Sequence, residues 1–220
     1  MTRNRIPHDI RNVLSWLFEK SLAQFIQPYR ELPYRGRLRM CAEGSMAAQA
    51  ALKAHPFGSI AEYRGFVESE AYSAILSDGS LLHLSYDFRE SELIGHRLLY
   101  YPCPFVIDPE LTDEPILDVL EFCGNDLELF RLRSPVRFDF DLQRAATNHP
   151  ASHVHFQHEE CRLPVVAPLS VGRFVEFVFR NFYPHWWAEH EFLREFRRPS
   201  VVNTIQAEER HGFHLACAGD

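Results

Sequence analysis

The sequence predicts an α+β fold: a mainly antiparallel β-sheet packed against N-terminal and C-terminal helices on one face. Three observations carry this expectation. Near the N-terminus, Ile10, Val13, Leu14, Leu17, Phe18, Leu22, Phe25 and Ile26 recur at helical spacing. In the third quarter of the chain, residues 136–142 and 152–157 alternate apolar and polar side chains with period two. After Pro168, Phe174, Val175, Val178, Phe179 and Phe182 restore a helical stripe.

Residues 7–29 read as the first helix, ended by Pro28 and Pro33. Residues 38–54 read as a second, because alanine is dense there and Pro56 stops it. Residues 65–76 are rich in aromatic and β-branched side chains and read as a strand. Asp78-Gly79 is a hairpin signal, and residues 80–86 continue the hairpin. Residues 92–101 make another strand, stopped at Pro102 and Pro104. Residues 115–123 fit a short helix, with Asp113 and Glu114 placed to favour its positive end. Residues 125–133 suit either a strand or a helix.

Strands at 136–142, 152–157 and 162–166 follow. Ser170 is the expected N-cap of a buried helix over 171–183. Pro184 interrupts that helix, and residues 185–196 resume it. From Arg197 onward charge is mixed and no period emerges, which suits a capping segment or a fraying end. The expected organisation is one domain over 1–220. Its parts are a helical stretch at 1–56, a sheet bearing the candidate site at 57–168, C-terminal helices at 169–197 and a tail at 198–220.

With 220 residues, 46% of them hydrophobic, the chain can bury a full core. A net charge of −7 argues against broad non-specific binding to nucleic acid but leaves room for a local basic pocket. Five scattered cysteines without a CxxC pair suit reduced thiols rather than a disulfide framework. No signal-like or membrane-length apolar run is read, so a cytoplasmic protein without membrane partners is expected. The phosphate-loop, dinucleotide, zinc-protease and serine-hydrolase signatures do not occur.

Chemistry concentrates between 136 and 168. If the strands at 136–142 and 152–157 pair with their apolar faces on the core, Arg137, Asp139, Asp141, His153 and His155 share the other face. Cross-strand neighbours on one face lie about 4.5–5.5 Å apart. Arg162 is expected at the edge of the group. His149 and Tyr183 are further side chains with a route to it, and Cys161 lies beside the histidines. His83 and His96, each alone on its strand, read as hydrogen-bonded or surface residues rather than ligands.

Three uses fit this face. In metal-free acid–base catalysis, His155 and His153 exchange protons, Arg137 and Arg162 hold phosphate, and Asp139 orients a histidine. That suits cleavage of RNA by its own 2′-hydroxyl, with RNA or a nucleotide as the partner. In metal binding, His153, His155, Asp139 and Asp141 are the candidate ligands of a divalent ion in a hydrolase. In the third use the face is plain structure: Arg137 pairs with Asp139, the histidines bond to backbone, and nothing reacts. The alternative function is a non-catalytic accessory or ligand-binding subunit, whose polar face holds a small ligand or a strand of a protein partner encoded nearby.

The block RFDFD…HPASHVHFQHEECRLPVVAPLSVGRFVEFVFRNFY, residues 137–183, resembles the signature of a bacterial family known only as a domain of unknown function. That family brings no established activity. A looser similarity links Arg137, Asp139, His153 and His155 to small bacterial toxin families, which place an R-x-D strand before closely spaced histidines. This chain is longer and more acidic than those toxins. The resemblance implies a place among mobile-element or phage-defence proteins, and a ribonuclease toxin or defence effector as the activity.

Overall fold

The computed structural model describes residues 3–44, 55–108, 111, 114–124, 126–146, 149–199 and 201–216. Helix α1 spans Ile6–Glu19, with Pro7 in its first turn and Ile6, Ile10, Val13, Leu14 and Leu17 buried. It stops ten residues earlier than its apolar spacing predicts. Ser21 takes a left-handed φ of 55° and the chain turns into β1, Ala23–Ile26. Leu22, Phe25 and Ile26 fitted the helical period, but a short apolar run fits either structure.

A hairpin follows, β2 (Tyr29–Tyr34) and β3 (Arg37–Ala42), turned at Arg35 and Gly36 with positive φ at both. The helix expected from residue 38 is therefore a strand as far as Ala42, and residues 45–54 lie outside the described part. The strand expected at 65–76 is mostly helix α2, Ile60–Glu68. Ser59 accepts from the Glu62 amide at 3.1 Å, and Glu62 accepts from the Gly58 amide at 2.7 Å. That Ser-x-x-Glu arrangement is a helix-start signal, and here it outweighs β-propensity.

Strands β4 (Ala74–Leu76) and β5 (Leu81–Arg89) flank the expected Asp78-Gly79 turn, where Gly79 has φ 80°. Strand β6 spans Glu92–Tyr101, as predicted. Helix α3 (Ile116–Cys123) follows Pro115, and a single 3-10 turn occupies Leu127–Leu129 in the ambiguous stretch. Then come β7 (Val136–Asp141), β8 (Ser152–Phe156) and the two-residue β9 (Leu163–Pro164). Gln157, at φ 59°, turns the chain away after β8.

Ser170 caps α4, Val171–Phe182, by accepting from the Arg173 amide. Beyond it the single resumed helix is two short ones, α5 (Pro184–Glu189) and α6 (Glu191–Glu195), separated at His190. The tail forms a further short helix, α7 (Ala207–Arg210), and is tied down. Leu215 bridges Val165, and Thr204 donates its amide to Val166.

The strands form one antiparallel sheet in the order β1-β4-β5-β6-β7-β8-β9, with the β2–β3 hairpin joined to β5 through β3. Side chains alternate between its faces. One face carries Leu82, Leu84, Tyr86, Phe88, Leu98, Tyr100, Val136, Phe138 and Val154, covered by α1 and α4. The terminal helices thus share a face, as expected. The opposite face is not left open. Ile75, Leu81, Leu99 and Tyr101 form a second core there with α2 and α3. The remainder of that face carries the polar residues.

Phe138, 1% exposed, packs edge-on against Phe174 and Phe177 of α4. Phe138→Ala is expected to cost about 3–5 kcal/mol of stability. Gly172→Ala adds one methyl, but its Cβ would stand 2.0 Å from the Arg197 carbonyl oxygen. Both variants should melt well below the wild type; unchanged melting would contradict this packing of α4.

Candidate functional site

Register places the polar side chains in rows across the sheet. Arg97 on β6 pairs with Asp139 on β7, and Asp139 with His153 on β8. In the adjacent row Leu99 pairs with Arg137, and Arg137 with His155. Four of the sequence candidates (Arg137, Asp139, His153, His155) therefore meet, on the strands predicted to carry them.

Asp139 is the centre of the group. Arg97 embraces it with Nε 3.0 Å from Oδ1 and Nη2 3.2 Å from Oδ2. Arg137 Nε is also 3.0 Å from Oδ2, though out of line for a hydrogen bond. His155 Nε2 makes a longer contact with Oδ2 at 3.5 Å. Burial pushes the Asp139 carboxyl up, but Arg97 and Arg137 outweigh it and hold the group well below the ordinary carboxylate range. Burial lowers Arg137, while Asp139 raises Arg97.

The histidines behave differently from the solvent-facing groups that a strand surface suggests. His153 and His155 are each 2% exposed. Burial brings His153 down to about 4 and lowers His155, so both rings are neutral near pH 7. His153 Nδ1 donates to the Pro150 carbonyl at 2.7 Å, which fixes its tautomer and leaves the Nε2 lone pair free. His155 Nδ1 is buried and makes no hydrogen bond of ordinary geometry among the described residues. The His149 ring lies edge-on to His153 at 4.8 Å, and His153 to His155 at the same distance.

The lead-in to α2 forms the roof. The Phe57 ring sits 4.9 Å from the Arg137 guanidinium and 6.3 Å from the His155 ring. Glu62 is buried, accepts from Tyr101 Oη at 3.2 Å, and is raised by that burial. Glu159, largely exposed, approaches Arg137 at 3.8 Å.

Other candidates fall elsewhere. Asp141 caps the turn after β7 by accepting from the Gln143 amide, and stands outside the Asp139–His153–His155 set. Arg162 is half-buried ahead of β9 and makes no ion pair among the described residues. Tyr183 is on the opposite face, donating to Asp78 at 2.9 Å, because α4 packs there and does not cross to the histidines. Cys161 is an exposed free thiol. Of the two alternatives for His83 and His96, hydrogen-bonded or surface, the first holds: both are buried, bonded to the Ala71 carbonyl and the Leu169 amide. Arg97, Phe57 and Glu62 are the residues that sequence reasoning missed. Arg97 was visible as the one charged side chain in the interior of β6.

One donor atom from each of Asp139, His153 and His155 lies within 4.8 Å of the others. Tetrahedral zinc, with ligand bonds near ~2.1 Å, needs donors roughly 3.4 Å apart. The carboxylate is also already engaged by two guanidiniums. An ion there would require the three donors to close in and Asp139 to share its oxygens with Arg97 and Arg137.

Fold and site together define an α+β protein with a buried arginine–aspartate–histidine centre on one sheet face. The chain belongs to the family described as "Uncharacterized conserved protein (DUF2290)", whose model matches residues 27–217. No curated protein and no solved structure matches it. No described helix is long and apolar enough to cross a membrane.

Two predictions follow from the burial of this network. Removing the carboxylate in Asp139→Asn leaves buried Arg137 with only the exposed Glu159, 3.8 Å away, as ion partner, and should cost about 3 kcal/mol in denaturant titration. The second concerns pH. His83, His96 and His153 are each lowered by burial to about 4. Between the unfolded value of ~6.5 and that folded value, the unfolded chain binds more protons. Stability is therefore complete above ~6.5 and falls as the pH drops, by up to about 1.4 kcal/mol per pH unit for each ring. Asp139, with its depressed pKa, extends the loss below ~3.9. A melting temperature that holds constant from pH 7 to pH 4.5 would contradict the neutral burial of these rings.

Proposed function

We propose that this protein is a metal-independent, RNA-cleaving enzyme whose centre is Arg97, Arg137, Asp139, His153 and His155. The carrying observation is the paired arginines on Asp139, set beside two buried imidazoles, of which His153 has its tautomer fixed by the Pro150 carbonyl.

In this reading the scissile phosphate lies against Arg97 and Arg137, displacing Glu159 from its 3.8 Å approach. His153 Nε2 takes the proton of the adjacent 2′-hydroxyl. The 2′-oxygen attacks phosphorus, and the guanidiniums hold the charge of the phosphorane. The bond to the 5′-oxygen breaks, and His155 supplies that oxygen's proton, leaving a 2′,3′-cyclic phosphate and a 5′-hydroxyl end. Asp139 steadies His155 as it carries positive charge. A bound phosphate anion works against the burial that lowers His155, so the substrate itself helps to charge the acid.

The likeness of the R-x-D strand and paired histidines to small toxin families suits a cytoplasmic toxin or defence effector, with cellular RNA as the target. A second reading, a non-catalytic binding subunit, is favoured by the 2% exposure of both histidines. It predicts that His155→Ala weakens ligand binding while no RNA is ever cut.

The purified protein should cleave RNA in the presence of chelator. His153→Ala and His155→Ala should each lose roughly 10²–10⁴-fold in rate, the usual contribution of a general acid or base. The free base must be neutral, above about 4 for His153, and the acid protonated, below its lowered value. The kcat/KM optimum is thus expected between pH 4 and 6.5, on the acidic side of an ordinary histidine pair. Intact RNA at every pH, or activity only on adding a divalent ion, would overturn this reading.

A further inference from the structure

His155, which the proposed chemistry needs as its acid, is covered, and its cover is unevenly fastened. His155 is 2% exposed and Arg137 8%. The Phe57 ring lies 4.9 Å from the Arg137 guanidinium, against its flat face, and 6.3 Å from the His155 ring. Glu159 approaches Arg137 Nη2 instead, at 3.8 Å. An anion can replace this largely exposed carboxylate with the ring still in place. Reaching His155 as well requires the ring to move.

Phe57 belongs to neither a helix nor a strand. It takes the second position of a four-residue turn over 56–59, closed by the Ser59 amide donating to the Pro56 carbonyl at 3.1 Å. Gly58 takes the third position with φ 82°, where a type II turn needs glycine. The rear of the turn is tied down. The Gly58 amide donates to Glu62 Oε2 at 2.7 Å, and Tyr101 Oη donates to the Ser59 carbonyl at 2.7 Å. Gly58 also backs onto Pro135, whose Cδ would stand 3.3 Å from a Cβ added there. The front has no such ties: among the described residues, no hydrogen bond or ion pair joins residues 55–57 to β7 or β8. There the turn rests on the ring contacts of Phe57. A segment fastened at one end in this way swings while the sheet and α2 stay folded.

We propose that residues 56–58 form a flap, hinged at Gly58, that closes Phe57 over Arg137 and His155 and lifts to admit an anion to the centre. What enters rests on the RNA-cleaving reading. The flap adds how a covered acid meets its substrate, and how water is shut out once the ring returns.

Acylation of the full chain by diethylpyrocarbonate at pH 7, followed residue by residue by mass spectrometry, tests the flap. The reagent attacks neutral imidazole, and burial keeps the His155 ring neutral at that pH, so the rate reads access. Exposed His185 on α5 sets the unhindered rate. His96, buried on the far face against the Leu169 amide, reports wholesale unfolding. In the wild type His155 should react more slowly than His185, at a rate nearly flat in low urea, because lifting a short turn exposes little surface. His96 should instead rise steeply with urea. An open state populated at about 0.1–10% means that Phe57→Ala speeds His155 by about 10–1000-fold and leaves His96 unchanged. Inorganic phosphate should bind that variant more tightly by the same factor, since the closed fraction no longer competes. One urea slope shared by His155 and His96 would overturn the flap, and the wild-type slopes decide even where Phe57→Ala lowers the melting temperature. An unchanged His155 rate in Phe57→Ala at equal melting temperature overturns it too, and phosphate affinity unmoved by the variant removes the admission step. Gated acylation with RNA left intact keeps the flap and removes the ribonuclease reading. Cleaved RNA with His155 following His96 removes the flap alone.

Discussion

The structure of the polar face depends on one electrostatic requirement: Asp139 and Arg137 are both nearly withdrawn from water, and neither can be left alone there. A charge taken into a protein interior without a partner costs several kcal/mol. Asp139 meets this by contacting Arg97 and Arg137 together. Three neighbouring strands supply the remaining members of the group, so the pairing of β6, β7 and β8 and the pairing of charges enforce each other. A one-residue slip of β7 would carry Arg137 and Asp139 into the apolar core beneath α4 and bring Phe138 up beneath Phe57.

The same burial sets the state of the histidines. In water an imidazole is half-charged near pH 6.5. Beneath α2 and its lead-in, His153 and His155 lose solvent without gaining a full counter-charge, because Asp139 is already shared between two arginines. The neutral rings thus stand beside two guanidiniums that share Asp139, with Glu159 3.8 Å from Arg137. On the RNA-cleaving reading proposed above, that combination receives the scissile phosphate, and the α2 side of the sheet matters as much as the strands. The bulk of the chain serves this arrangement. The core under α1 and α4 fixes the sheet from below, and the smaller core under α2 and α3 fixes the roof.

Much of this was legible in the sequence. Strict alternation across residues 136–141 and 152–156 fixed which side chains share a face, and the strand pairing followed. Strand β6 and the Ser170 cap were equally plain. The errors have physical causes. Residues 22–26 and 38–42 hold apolar side chains that satisfy both periods, and only the left-handed turn at Ser21 and the pairing with β4 and β5 decide for strand. The start of α2 was written in Ser59 and Glu62, yet the aromatic residues behind them read as β. Arg97, Phe57 and Glu62 escaped because they join the site through register and through a helix crossing the sheet, and neither is encoded locally. Burial of the histidines was hidden for the same reason, since a strand shows which face a side chain takes but not what covers it.

The central claim is that His153 and His155 are neutral groups flanking an anion site. Ring nitrogen resonances of ¹⁵N-labelled histidine, followed against pH with and without inorganic phosphate, test it most directly. The account predicts neutral rings at pH 7, a His153 midpoint of about 4 in the free protein, and upward movement of both midpoints when phosphate binds. Rings already charged at pH 7, or midpoints indifferent to phosphate but displaced by zinc, would contradict it.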